Sequence, residues 1–367
     1  MRSSAFSPDR SRARSSLLSR LALVVVSILF ALGLLELGLR AWTGYLGTWP
    51  NFVLSARTVL AEREESRFVD DPMLGYVPRP NYAAKGVSFD ADGFRRTGDT
   101  PAATDGGPIL AVGDSYTYGN EVTDRETWPA HLQALTGRRV LNAGVSGYGF
   151  DQTVLRAERA VAHHPSAIVV SFIADDIRRT EMRRQWGAEK PYFDLHGSGL
   201  VLRNVPVPPR PDPRTTLNFW HRTLGYSYLF DFVLRRLDLL HDWFGDHIRV
   251  HPAGEGEQIA CRLTARLQEL QRIAEAPVLV LAQYDPVVWQ DPAFAADQRR
   301  LTGDLLSCAR RHGLAVLDSY DAVAAWPGKN GPRDLYGLWH MNDRGNALTA
   351  KLVAEALAKQ GRSTAAR

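Results

Sequence analysis

Residues 113–119 read Gly-Asp-Ser-Tyr-Thr-Tyr-Gly and follow directly on the apolar run Ile109–Val112. A buried strand that ends this way sets the Ser115 hydroxyl at a sharp strand-to-helix turn, ringed by backbone N–H groups. A serine nucleophile is useful at such a turn. The hydroxyl is too weakly acidic to attack unaided, so a histidine must take its proton. The oxyanion that forms must meet donors fixed in advance, and losing one costs on the order of 100- to 1000-fold in rate. A carboxylate behind the histidine holds its tautomer and steadies the imidazolium.

Three other segments offer those parts. Asn142-Ala143-Gly144-Val145-Ser146-Gly147-Tyr148-Gly149 follows the apolar pair Val140–Leu141, and Ala174-Asp175-Asp176 follows Ala167–Ile173. His340 stands just before the last helical pattern, with Asp334 six residues earlier and Asp318 after the last apolar run. Each feature alone has a structural reading. Gly-Asp-Ser can be a turn whose side chains satisfy local backbone groups, and Gly144 and Gly147 can be turn glycines. A single histidine in a helix-entry loop is commonly structural, and Asp176 reads as a helix cap. The four features in this order, at successive strand ends, favour acyl transfer.

The elements that must position them are legible as an alternation. Apolar runs at Ile109–Val112, Val140–Leu141, Ala167–Ile173, Val278–Leu281 and Ala315–Leu317 are separated by helical patterns such as Gln152–Ala162 and Cys261–Ala274. This predicts βαβ units and a parallel sheet with helices on both faces. Ligands of such sheets bind beyond the carboxyl ends of the strands, where strand order reverses. With the order 2-1-3-4-5, the first three loops are neighbours on one rim. The last helix, about Gly345–Lys359, has Asn342 and Asp343 as cap candidates and Gly361 as a stop.

Together these residues resemble the SGNH hydrolases, also called GDSL esterases, from Ile109 to the C-terminal helix. Gly113-Asp114-Ser115 looks like the first family block and Asn142-Ala143-Gly144 like the second. Ile173-Ala174-Asp175-Asp176-Ile177 looks like the third, and the stretch around His340 like the last. The resemblance implies a three-layer α/β/α sandwich with a flavodoxin-like, five-stranded parallel sheet and an N-terminal transmembrane helix. It also implies Ser115 as nucleophile, His340 as base and the Ser115 and Gly144 amides as oxyanion donors. Asp114 and Asp175 are further candidates at the oxyanion and substrate site. Two positions depart from the family pattern. Asp175 stands where asparagine is usual, and Gly337 stands where the triad aspartate is usual, three residues before the histidine. Asp334 is therefore the expected acid, with Asp318 second. The implied function is an esterase or O-acyltransferase acting on carbohydrate or envelope esters through an acyl-serine. The alternative is a catalytically impaired domain that binds glycan or supports an envelope assembly. No cofactor is expected.

The rest of the chain bears on location. The net charge of +4 resides in residues 1–20, where five arginines face one aspartate, and the remainder is balanced. The basic pI therefore gives no support to a nucleic-acid partner. Leu21–Leu39 carries one charged residue, Glu36. Its nineteen residues span about 28 Å, close to a bilayer's hydrocarbon core. Arginines on that flank predict a cytoplasmic N-terminus and an exported remainder. Glu36 precedes Arg40 by one helical turn and reads as interfacial. A cleaved signal peptide has the same layout, but no small-x-small site follows, which favours an uncleaved anchor. The anchor ending and Gly93-Phe94-Arg95 are similar to membrane-tethered bacterial family members, which implies a single-pass inner-membrane protein with a periplasmic catalytic domain.

The expected organisation is a basic tail over 1–20, an anchor over 21–41, a linker and irregular extension over 42–105, the hydrolase-like domain over 106–361 and a short tail over 362–367. Residues 185–255 interrupt the alternation, and Asn218–Phe244 is helical in pattern and crowded with aromatics. Three readings compete for it: a cap on the core, a membrane-surface contact, or a partner helix. Cys261 and Cys308 could pair in an oxidising compartment or stand as small buried residues. Their spacing suggests no metal site.

Overall fold

The apolar runs become strands because each is short, buried on both faces and bounded by polar turns. In a computed structural model, which describes residues 10–65, 67–98 and 106–365, these are β1 (Ile109–Val112), β2 (Val140–Asn142), β3 (Ala167–Phe172), β4 (Val278–Ala282) and β5 (Ala315–Asp318). All pair in parallel, in the order β2-β1-β3-β4-β5. The expected 2-1-3-4-5 topology is the observed one.

Side chains alternate between two cores. Leu110, Val112, Ile168, Val170, Val278 and Val280 face one side. There they meet three helices, α3 (Phe150–Ala160), α4 (Glu255–Ala274) and α5 (Pro292–Arg311). Ile109, Ala111, Val140, Val169 and Leu279 face the other side, against Trp128 and Leu132 of α2 (Trp128–Thr136) and Ala350 and Val353 of α6 (Asp343–Ala365). The result is a three-layer α/β/α sandwich. Local signals set the helix ends: Thr127 caps α2, Gly137 in the left-handed region stops it, and Asp291 with Pro292 starts α5. Cys261 of α4 and Cys308 of α5 form a disulfide, so of the two expectations for these cysteines the covalent one holds.

The chain divides into two compact units, Met1–Val59 with Pro211–Phe244, and Leu60–Arg210 with Gly245–Arg367. The sheet belongs wholly to the second. That unit also takes up most of the expected linker. Leu74, Tyr76 and Phe94 enter its core, and Arg95 pairs with Asn142 beside β2. The expected insertion over 185–255 is not one piece. Residues 185–210 and 245–255 stay with the sheet, partly as the hairpin Tyr192–His196/Gly199–Arg203, and 211–244 does not. The first unit is built on α1 (Arg10–Thr43), in which Ser19–Thr43 is long and apolar enough to cross a bilayer, with a mean hydropathy of 2.5. Residues 1–9 of the basic tail, 66 and 99–105 of the extension and 366–367 of the C-terminal tail lie outside the described residues.

Candidate active site

Ser115 is the first residue of a one-turn helix, Ser115–Tyr118, entered directly from β1. Asp114 caps it: its Oδ1 accepts the Tyr116 amide at 2.9 Å, which fixes the turn. Asp114 is fully buried, and burial pushes its carboxyl up against the pull of Arg179, 3.7 Å away. Its Oδ2 lies 3.2 Å from Ser115 Oγ.

His340 arrives from the loop between the short 3-10 helix Gly331–Leu335 and α6. Tyr336 and Met341 bridge its base, and the Gly337 amide donates to the His340 carbonyl at 2.8 Å. Tyr116 holds the loop from below, donating its hydroxyl to the Trp339 carbonyl at 3.1 Å, with its ring 5.2 Å from the imidazole. In this position His340 Nε2 stands 3.0 Å from Ser115 Oγ. The two residues are 225 positions apart in the chain and in proton-passing contact.

The acid behind the imidazole is not Asp334. His340 Nδ1 stands 3.1 Å from Oε1 of Glu121, six residues after the nucleophile. Glu121 also accepts the Leu338 amide at 2.8 Å and the Trp339 amide at 3.2 Å. Burial alone would raise its carboxyl. The hydrogen bonds from His340, Trp339 and Leu338 outweigh that and leave it below the ordinary 4.5. Its backbone φ is +69°, left-handed for a residue with a Cβ, a conformation that costs on the order of 1–3 kcal/mol and persists where surroundings over-determine it. Gly337 makes room: a Cβ there would lie 2.6 Å from Glu121 Oε2. Asp334 closes its own turn, accepting the Asn330 side-chain amide at 2.6 Å and the Asn330 backbone N–H at 3.2 Å, and is half-buried there. Asp318 accepts the Tyr320 amide at 2.9 Å. Neither reaches His340.

Two other expected residues are displaced from the chemistry. Gly144 is glycine for packing, since a Cβ would lie 2.3 Å from the Tyr118 amide nitrogen, and its own N–H donates to Asn142 Oδ1 at 3.1 Å. Gly147 lines the cleft instead. Neither its N–H nor that of Ser115 has a hydrogen-bond partner among the described residues. Asp175 pairs with Arg178 at 2.5 Å, and Arg178 also pairs with Asp297 of α5, so the carboxylate is engaged by a guanidinium shared with that helix. Asp176 accepts the Ile173 amide at 3.0 Å, the capping role read from the sequence. The cleft is a cavity of about 780 Å³ whose wall includes Ser115, Glu121, Gly147, Trp186, Trp339 and His340.

A family model described as the GDSL-like lipase/acylhydrolase family matches residues 111–348, more than half of the chain and all of these residues. The chain belongs to that family. This GDSL-like acylhydrolase is accordingly a serine hydrolase acting on esters. Solved structures similar to it include TesA (15% identity, 68% of this chain and 97% of that chain, TM-score 0.39). A lipolytic protein of the G-D-S-L family from Desulfitobacterium hafniense DCB-2 is also similar (13% identity, 68% and 98%, TM-score 0.36). So is AlinE4, an SGNH-hydrolase family esterase (17% identity, 72% and 97%, TM-score 0.35). No curated protein matches the sequence. In this acylhydrolase, Glu121 is the residue that motif reading passed over, and Gly147, read only as a turn glycine, lines the cleft. The only sequence trace of Glu121 is indirect, a glycine where an acid was due.

Proposed function

We propose that the protein is a membrane-anchored serine esterase or O-acyltransferase that acts, on the periplasmic side of a bacterial inner membrane, on ester groups of carbohydrate or envelope polymers. The observation that carries the reading is the unbroken relay Ser115 Oγ–His340 Nε2–His340 Nδ1–Glu121, with contacts of 3.0 and 3.1 Å. Ser115 Oγ attacks the ester carbonyl as its proton passes to His340 Nε2. Glu121 stabilises the imidazolium that results. The Ser115 and Gly147 amides receive the oxyanion. Collapse breaks the bond to the leaving alkoxide, which takes the proton from His340 and departs. Water, or a sugar hydroxyl, then surrenders its proton to His340, attacks the acyl-serine and frees Ser115.

The aromatic faces of Trp186 and Trp339 in the cleft suit the apolar faces of pyranose rings, which supports a carbohydrate substrate. The anchor reading is supported by Glu36 and Arg40. Both lie in the last turns of α1 and are bonded into the folded first unit, which a cleaved leader would abandon. The test is a fluorophosphonate probe on the full chain in nanodiscs. Labelling that disappears in Ser115→Ala is expected. A folded sample that takes no label overturns the catalytic reading in favour of glycan binding. Mass spectrometry of an acetylated donor mixed with an oligosaccharide acceptor then separates transfer from hydrolysis.

A further inference from the structure

Within the first unit, Pro211–Phe244 is fastened to the end of α1 by a buried polar network. Glu36 lies seven residues before Thr43, hence about 10 Å inside the helix end. Its carboxylate accepts the Tyr228 amide at 2.8 Å, the Leu229 amide at 2.7 Å and the Ser227 hydroxyl at 3.0 Å. Arg40, fully buried, donates to Glu36 at 2.5 Å, to the Thr48 carbonyl at 2.7 Å and to the Tyr226 carbonyl at 2.5 Å. Its guanidinium lies 3.9 Å from the centre of the Trp49 ring. A charge in an apolar helix is costly unless it is paired and bonded. Here, beyond the pair they make with each other, their partners come from the flanking chain or from 226–229. Asn51 and Arg57 add bonds to the His221 and Phe244 carbonyls, each at 2.8 Å.

The outward surface of this assembly is apolar. Trp42 is 80% exposed, Phe219 68%, Leu237 60% and Trp220 59%. A groove of about 570 Å³ runs between α1 and the Tyr228–Arg236 helix, walled by Leu32, Gly33, Leu224, Leu229 and Val233. Its floor thus extends to Leu32, a full turn deeper in the apolar helix than Glu36. Arg222, Arg235 and Arg236 accompany the aromatics in sequence, as expected of a segment that meets lipid headgroups.

We infer that Pro211–Phe244 is a membrane-seated cuff on the anchor, with its exposed rings in the headgroup region of the bilayer and a lipid acyl chain in the groove. The occupant is lipid because the apolar surface and groove continue, without a break, the surface of the helix proposed to span the bilayer. The inference rests on that anchor reading. It is more than the reading itself, because residues 168 or more positions beyond Thr43 become part of the membrane contact.

The test uses the full chain in nanodiscs carrying nitroxide lipids. Because both native cysteines are in the disulfide, Trp220→Cys supplies a single thiol for an environment-sensitive dye. Ile273→Cys, equally exposed but on α4 of the catalytic unit, is the control. Fluorophosphonate labelling confirms folding, and Phe219→Cys replaces the first variant if it misfolds. The expected result is a blue-shifted dye at 220 that is quenched several-fold more than at 273. Equal quenching at both sites overturns the cuff. So does a signal that depends on protein-to-disc ratio and not on lipid, which would assign the surface to a second copy. Alkaline extraction of membranes reads the anchor separately: protein that stays in the pellet with a water-exposed dye at 220 sinks the cuff and keeps the anchor.

Discussion

A glutamate has one more methylene than an aspartate, and Glu121 uses that reach to meet His340 Nδ1 from the nucleophile's own loop. Because the relay runs through Glu121, Glu121→Gln should lower kcat/KM on a p-nitrophenyl ester by about 10³- to 10⁴-fold, as when a triad acid is lost with geometry kept. Asp334→Asn should leave it nearly unchanged; the reverse ranking would return the role to Asp334. The same carboxylate contributes to stability with a definite sign. Its folded-state value is lowered, so its contribution is fully present above the ordinary value of 4.5 and is lost as pH falls through the folded value. Denaturant unfolding of wild type and Glu121→Gln should therefore differ at pH 7 and converge as the buffer is taken below about 4.5. Ser115 and His340 were legible because each sits in a short pattern with its own turn chemistry. Glu121 was not, since Asn120-Glu121-Val122 carries no spacing signal and its partner is 219 residues away. Between two glycines of one loop, order alone cannot say which lines a cleft; Gly144 spends its N–H on Asn142 Oδ1, and Gly147 lines the cleft.

At the level of elements, one buried side chain holds the loop that carries Glu121. Arg95 donates to the Tyr118, Gly119 and Val122 carbonyls at 2.7, 2.6 and 2.7 Å and to Asp124 at 2.8 Å, and it is only 1% exposed. Four bonds from one guanidinium thus frame residues 118–124. Arg95→Met strips these carbonyls of their donor and Asp124 of its counter-charge, leaving that carboxylate only its bonds from Ser88, and should destabilise the protein by roughly 3–5 kcal/mol. Labelling by fluorophosphonate, measured below the melting transition, should slow markedly as Glu121 loses its seat. A stable variant labelled at the wild-type rate would show that the loop is held by other means. The sheet itself was readable in full from alternating apolar runs and helices, because parallel strands buried on both faces carry the strongest pattern a sequence has. The extension over 42–105 was read as irregular because its strands, such as Phe68–Asp71 and Gly75–Pro78, mix charged, glycine and proline positions with apolar ones and carry no continuous apolar run.

Across the whole molecule, the two units report different constraints. The catalytic unit carries a disulfide between α4 and α5 that spans 47 residues. Cys308→Ser should lower stability by about 2–4 kcal/mol in the chain-entropy picture, read as a fall in melting temperature that dithiothreitol reproduces in wild type and not in the variant. A wild type indifferent to reduction would mean that the bond is not formed in the protein as produced. The partnership of 211–244 with α1 could not be seen in the sequence, where nothing marks residues 190 positions apart as neighbours. The aromatic segment left three readings open, a cap on the core, a membrane-surface contact or a partner helix, because rings at helical spacing suit each of them.

A β-carbon added at 337 would lie 2.6 Å from Glu121 Oε2. Any side chain placed there must push aside the carboxylate on which the imidazole leans, so an engineer who restores an acid to the histidine's own loop disturbs the one supplied by the nucleophile's loop.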